Sequence, residues 1–347
     1  MEGLQGLQGE LQAVVDSGAV TWDLARVVAD GRTVWKGAAG VSDLSGRRPV
    51  DPDGRFRIGS ITKTFTATVV LQLVGEGRIR LDAPVETYLP GVVPNGAGIS
   101  VRQLLNHTSG LFNYNDLPEY VPVDQAGLAE WVRVGRWRTF SAPAIVADAT
   151  SHAPYFAPGR DFHYSNTNYL LAGMLIERTT GRSWNEEVER RIIRPLGLRD
   201  TSMPTTSPLL TGPHAHQYLV LASGPVDATL MNPSLAGAAG AGISTAADLA
   251  RFQSALLGGG LLRPAELAEM KRTVDTHFGV AYGLGLMRFD VVGCGELWGH
   301  LGGIRGNVSY FFGDPAGRRQ VVTAGGLYGQ VDSSEVFTDL NRAAACG

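Results

Sequence analysis

The chain contains no apolar run of 18 or more residues, so nothing in it reads as a bilayer-spanning helix. Its start, MEGLQGLQGELQAVVDSG, lacks the basic end and apolar stretch of an export signal. As written, the protein is expected in the cytoplasm; it is expected to be secreted if such a signal has already been removed. Neither sign of charge prevails, since 30 Lys plus Arg stand against 33 Asp plus Glu for a net charge of −3. That balance gives no electrostatic footprint for nucleic acid or an anionic membrane, so partners have to be argued from a site. Cysteine is scarce too. Cys294 and Cys346 are the only two. They read either as buried free thiols or as a disulfide tying the last helix to the sheet, a choice that needs their Cα separation. Internal repeats and low-complexity linkers are absent. What is present is 44% hydrophobic residues over 347 positions, enough for a sizeable core in one large or two moderate domains.

The segment LQGLQGELQAVVDSG reads as an amphipathic helix, followed by strands in DLARVVA and RTVWKGAAG around the turn Asp30-Gly31. Near the other end, NVSYFFGDPAGRRQVVTAGG alternates β-branched and aromatic residues around a DPAG turn, and SSEVFTDLNRAAA reads as a closing helix. Between these ends lie helical stretches: TKTFTATVVLQLVGEG, VRQLLNHT, TNYLLAGMLIERTTG and AADLARFQSALLGGG. The expected fold is α/β of the α+β kind: an antiparallel β-sheet from both chain ends, flanked by helices, with an inserted, mostly helical subdomain. We expect one domain, 1–347, with a sheet subdomain of 1–62 and 240–347 and a helical subdomain of 63–239.

Three motifs carry chemistry. In RFRIGSITKTF, Ser60 stands where a loop enters a helix, with Lys63 at i+3 on the same face. A serine hydroxyl becomes a useful nucleophile only when a base takes its proton, and lysine is such a base only when desolvation or a neighbouring cation lowers its pKa. Alone, this pair reads equally well as a Ser cap beside a solvated Lys. In RDFHYSNTNYLL, Tyr164 offers a proton shuttle if an ammonium stabilises its phenolate, and Asn166 offers an amide to orient substrate. In LWGHLGGIRGN, His300 and its glycines stand at the expected beginning of a strand, where glycine lets a ligand approach. Other signals are weaker. His214 and His216 have strand-like ligand spacing without an acidic or Cys cluster and read as surface histidines. His107 in LLNHTSGL reads as a local hydrogen bonder at a helix end. The run AGAAGAG lacks the Lys of a phosphate loop and reads as close packing beside the site. No metal or cofactor is expected.

Together, Ser-x-x-Lys, Tyr-x-Asn and His-x-Gly in this order resemble the penicillin-recognising serine enzymes of class C β-lactamase type; the related class A set differs in its second and third motifs. RFRIGSITK, VRQLLNHTSGL, YSNTNYLLAGMLIE, RPLGLRDTSM, GISTAADLARF and YGLGL are similar to stretches of the exocellular DD-carboxypeptidase branch. The resemblance spans essentially the whole chain and implies a β-lactamase/transpeptidase-like fold. It implies that Ser60 attacks a carbonyl while Lys63 and Tyr164 move the proton. Asn166 would hold the acyl-side amide, and His300 would stand where other members carry Lys. The amides of Ser60 and Gly303 would form the oxyanion hole.

The chain departs from that branch where a terminal carboxylate is clamped. Met287 stands in place of an Arg, Leu301 and Gly303 in place of Thr residues flanking Gly302, and Leu235 in place of a Trp. Arg288 and Arg305 lie near enough in sequence to substitute. An apolar pocket of this kind, with the missing export signal, favours a penicillin-binding-protein-type thioesterase, a peptide macrocyclase of nonribosomal peptide biosynthesis. Its substrate would be a peptide or peptidyl thioester with a D-residue on the acyl side, its partner a peptidyl carrier protein, and its working form a monomer. The alternatives are a D-Ala-D-Ala carboxypeptidase or D-selective peptidase, then an esterase or β-lactamase, and last a binder without turnover.

Overall fold

The computed structural model describes residues 4, 6–329 and 337–347. Helix α1 (Leu7–Asp16) leads into β1 (Val20–Ala29) and β2 (Arg32–Gly40). Between these strands Asp30 and Gly31 both have positive φ, 48° and 73°, the conformation a tight two-residue hairpin turn demands. The chain then runs through α2 (Thr62–Gly75), α3 (Asn166–Thr180) and α4 (Ala246–Leu257) among shorter helices. It returns to the sheet as β3 (Val274–Asp275), β4 (Ala281–Tyr282), β5 (Met287–Val291), β6 (Gly295–Ile304), β7 (Asn307–Gly313) and β8 (Arg319–Leu327), and ends in α5 (Thr338–Cys346). The eight strands form one antiparallel sheet in the order β2-β1-β8-β7-β6-β5-β4-β3, so the two ends of the chain meet at β1 and β8. Of the expected closing helix, residues 333–336 lie outside the described residues.

Both faces of the sheet are covered, which is why nine of the ten residues of β1 are buried. Its alternation appears instead in where side chains go. Trp22, Leu24 and Val28 enter the core shared with α2 and α4, while Ala25 and Val27 pack on the other face with Leu7, Leu11, Phe337 and Leu340. In the first core Phe65 of α2 stacks on Phe252 of α4 with ring centroids 3.7 Å apart. Full burial of one such side chain stabilises the fold by about 2 kcal/mol.

Two findings depart from the sequence reading. A short hairpin, Tyr218–Leu221 with Gly224–Asp227, lies inside the stretch expected to be mostly helical. His300 is in the middle of β6, not at the start of a strand. The glycines of β6 disguise it, and they are required by contact: a Cβ on Gly299 would overlap the Phe311 carbonyl, and one on Gly302 the Ile58 carbonyl. The cysteines are resolved as well. Cys294, in the β5–β6 turn, is bonded to Cys346 at the end of α5, with Cα atoms 4.9 Å apart.

Asp23 carries a stability prediction. It is wholly buried in β1, and desolvation raises its carboxyl from 3.8 to about 8, only partly offset by the amides of Ala39 and Asp23 itself. The unfolded chain ionises it near ~3.9. With the folded pKa the higher one, Asp23 leaves stability intact below about pH 4 and lowers it progressively as pH rises to about 8, on the order of 5 kcal/mol in all. Asp23→Asn is therefore expected to flatten the stability profile between these limits in denaturant titrations. An unchanged slope would refute this.

Candidate active site

Ser60 is held from three sides. Phe56–Arg57 pairs with Ile243–Ser244, and Ile58 N–H donates to Gly242 O at 2.9 Å. From β7, Asn307 Nδ2 donates to Arg57 O (2.6 Å) and Ser309 Oγ to Ile58 O (3.2 Å). Gly59, at φ 50°, then starts the turn Gly59–Ile61 that feeds α2. A Cβ on Gly59 would lie 2.7 Å from Gly303 O and 2.8 Å from Gly303 N, so glycine there lets the nucleophile's turn touch β6. The backbone of Ser60 and the exposed Gly303 are thereby neighbours, as an oxyanion hole needs.

Helix α2 runs through the core rather than along the surface, with every residue from Thr62 to Leu71 buried. Its polar residues are mainly threonines, whose hydroxyls find buried carbonyls: Thr64 on Gly285 O and Thr66 on Ala238 O, both at 2.8 Å. Lys63 is carried into this dry interior. Its Nζ lies 2.6 Å from Asn166 Oδ1, 2.8 Å from Ala239 O and 3.0 Å from Ser60 Oγ. Burial holds its pKa well below the usual lysine range. A neutral amine has two N–H bonds and one lone pair. Asn166 Oδ1 and Ala239 O can only accept, so they take both N–H bonds, and the lone pair faces the Ser60 hydroxyl. Asn166 is itself aligned, its N–H donating to Asn113 Oδ1 at 3.0 Å.

The Tyr164 ring centroid is 4.8 Å from Lys63 Nζ. Desolvation raises the phenol above its usual range, and the Ser60 hydroxyl only partly offsets this. The free site therefore holds Tyr164 as a neutral phenol and not as the ammonium-stabilised phenolate considered from sequence.

His300, expected to be catalytic, is buried in the sheet beside Tyr164, with ring centroids 6.5 Å apart. It is 1% exposed, with Nδ1 2.6 Å from Leu301 O and Nε2 2.8 Å from the Tyr282 hydroxyl. Tyr282 also meets His107 Nε2 at 3.2 Å, and His107 Nδ1 lies 3.2 Å from the Ser165 amide N. The ends fix every proton in this chain. Ser165 N–H must donate, so His107 carries its proton on Nε2 and gives it to the Tyr282 oxygen. Tyr282 then donates to His300 Nε2, and His300 Nδ1–H donates to the Leu301 carbonyl. Burial lowers both imidazoles, His300 to about 3, so the relay is neutral. These bonds fix the His300 ring in place, and those of His107 reach far beyond its helix end. Tyr282→Phe leaves two buried ring nitrogens without partners, an expected loss of about 2–4 kcal/mol of stability, with kcat falling more than KM rises. Thermal denaturation and steady-state kinetics check it; a variant as stable and active as the parent would remove the relay from the account.

A cavity of about 280 Å³ opens in front of Ser60, with Asn166, Leu235 and Gly303 in its wall. Met287, Leu301 and Gly302 are not part of that wall. Met287 pairs with Gly299 in the sheet, and the Leu301 side chain packs with the core on the opposite face. Strand parity is the cause: Leu301 follows His300, so it points the other way. Arg305 lines the cavity, whereas Arg288 turns to Asp290 at 3.3 Å. Sequence reasoning missed the aromatic wall of Tyr114, Tyr120, Trp131 and Phe140, which are scattered in the chain and share no motif. It also missed Ala239 as an acceptor for Lys63, a role played by backbone and invisible in a side-chain pattern.

Residues 9–326 match the Beta-lactamase family. The chain belongs to the beta-lactamase family. It is a serine hydrolase of that family, with Ser60 and Lys63 in contact. A solved D-stereospecific amidohydrolase from Streptomyces sp. is 43% identical with a TM-score of 0.86, over 96% of this chain and 97% of that one. Penicillin-binding protein 4 of Amycolatopsis lactamdurans is 31% identical over 88% of this chain and 80% of its own length. Esterase EstB of Burkholderia gladioli is 32% identical over 53% of this chain, and the match spans about half, 47%, of that esterase. Among the described residues, no helix of this beta-lactamase-family chain is long and apolar enough to cross a membrane.

Proposed function

We propose that this protein is a D-selective serine amidohydrolase or peptidase, forming a Ser60 acyl-enzyme from an amide or ester whose acyl carbon belongs to a D-residue. One observation carries the reading: near-complete coverage at 43% identity of an amidohydrolase described as D-stereospecific. The geometry supports the chemistry. Lys63 takes the Ser60 proton as Oγ bonds to the carbonyl carbon, and the amides of Ser60 and Gly303 hold the oxyanion. The carbonyl–nitrogen bond breaks as Tyr164, with Lys63 behind it, supplies a proton to the leaving amine. Water then attacks the Ser60 ester with the same groups in reverse.

The macrocyclase favoured from sequence rested on an apolar pocket made by Met287, Leu301 and Leu235, together with the missing export signal. Of these residues only Leu235 lines the cavity, and the relatives favour D-selective hydrolysis, so neither the macrocyclase nor its carrier-protein partner is proposed. Matched D- and L-phenylalanine amides and esters test the proposal. D-forms are expected to react at least about a hundredfold faster in kcat/KM. Equal rates for the two enantiomers would overturn it.

A further inference from the structure

Among the described residues, the cavity in front of Ser60 has two cations in its wall and no acid. Arg305 and Arg136 line it, and none of its lining residues is Asp or Glu. Arg305 Nη2 donates to Pro122 O at 3.0 Å, and its guanidinium lies 5.0 Å from the centre of the Trp131 ring. Desolvation is the sole influence resolved on its pKa, and it lowers it; no neighbouring carboxylate acts on the group. Arg136 likewise meets a backbone carbonyl, Asp227 O at 2.7 Å, and stacks on Trp137. Asp148 accepts the Tyr120 hydroxyl at 2.9 Å and is not itself part of the lining.

A guanidinium has five N–H donors in a planar fork. A half-desolvated one with a single carbonyl partner keeps most of that fork unused, and an aromatic wall strengthens its attraction to an incoming anion by excluding water. An acyl donor with a free ammonium beside its scissile carbonyl finds two like charges here and no carboxylate in the wall. The cavity shares its wall with Asn166, the residue expected to hold the acyl-side amide, so a group extending from that amide enters the same cavity as Arg305.

We infer that the preferred acyl donor is an N-capped D-residue whose cap ends in a carboxylate, and that Arg305 receives that carboxylate. The inference rests on the D-selective acyl-transfer reading above. It selects dicarboxylate-capped or acidic peptide donors over simple D-amino acid amides.

The test uses phenylalanine p-nitroanilide in three forms: succinyl-capped, capped with the neutral succinamoyl isostere, and with its amine free. Each is made in D and L configuration. The parent enzyme is expected to prefer succinyl over succinamoyl by about tenfold or more in kcat/KM. The free amine is expected to be slowest. In Arg305→Gln the succinyl-to-succinamoyl ratio is expected to fall to about one, and in Arg305→Glu to invert, with the free amine gaining. Because each ratio is taken within one protein preparation, partial misfolding of a variant leaves it unchanged. A parental ratio near one, or a ratio that survives in Arg305→Gln, overturns the inference. Equal D and L rates would instead retire the D-selective reading, with the succinyl ratio still legible in either series.

Discussion

Replacing Ser60 by alanine is expected to abolish turnover, a loss of roughly 10⁴-fold or more. The expectation rests on one contact. Lys63 Nζ is 3.0 Å from Ser60 Oγ, and no other hydroxyl in the cavity wall is hydrogen-bonded to an amine. With the hydroxyl gone, the proposed oxyanion amides of residue 60 and Gly303 remain, but nothing forms the ester. Intact-mass measurement separates the steps: the parent is expected to gain one acyl group on treatment with a penicillin or an activated D-ester, and Ser60→Ala none. Near-normal activity in the alanine protein would remove Ser60 as nucleophile.

Lys63 gives the second large effect and a pH signature. Lys63→Ala is expected to slow acylation by about 10³–10⁴-fold, the usual contribution of a positioned general base. Lys63→Arg should be no better, because a guanidinium keeps its proton at any working pH and has no lone pair for Ser60. The sign of the pH dependence follows from which form works. Neutral Lys63 is the base, so kcat/KM falls about tenfold per pH unit below the Lys63 pKa and levels off above it. Burial places that limb below the ordinary lysine value of ~10.4. A pH–rate profile that rises only near pH 10 would show an unperturbed lysine and sink the assignment. Tyr164→Phe belongs to the same unit, so combining it with Lys63→Ala is expected to cost little beyond the worse single change.

The contact between Ser60 and Lys63 was legible because it is local. Ser60 and Lys63 are three residues apart where a turn enters a helix, and helical geometry alone brings such side chains together. The hairpin at Asp30-Gly31 and the C-terminal strands were legible for a similar reason, since their turn residues and alternation are short-range signals. Strand β6 was not, because four of its ten residues are glycines that weaken strand character, and the contacts that demand them come from Ile58 and Phe311, distant in the chain. Motif position also misassigned side chains. Leu301 occupies a site the resemblance gave to a substrate clamp, yet its place in the strand turns it toward Leu297 and Tyr310 on the far face.

By itself, then, the sequence determined the reaction class: three short motifs, each confined to a few residues, whose local geometry is set by helix and strand periodicity. The tertiary structure decided the rest, because those quantities belong to groups far apart in the chain. The low pKa of Lys63 comes from α2 being threaded through the core, and its remaining partners, Asn166 and Ala239, lie 103 and 176 residues away. The proton positions on His107 and His300 are dictated by a tyrosine between them and by one backbone donor and one backbone acceptor at the ends. The charge of the cavity depends on Arg305 reaching its wall while no acid does, a fact of packing that spacing in the sequence does not encode.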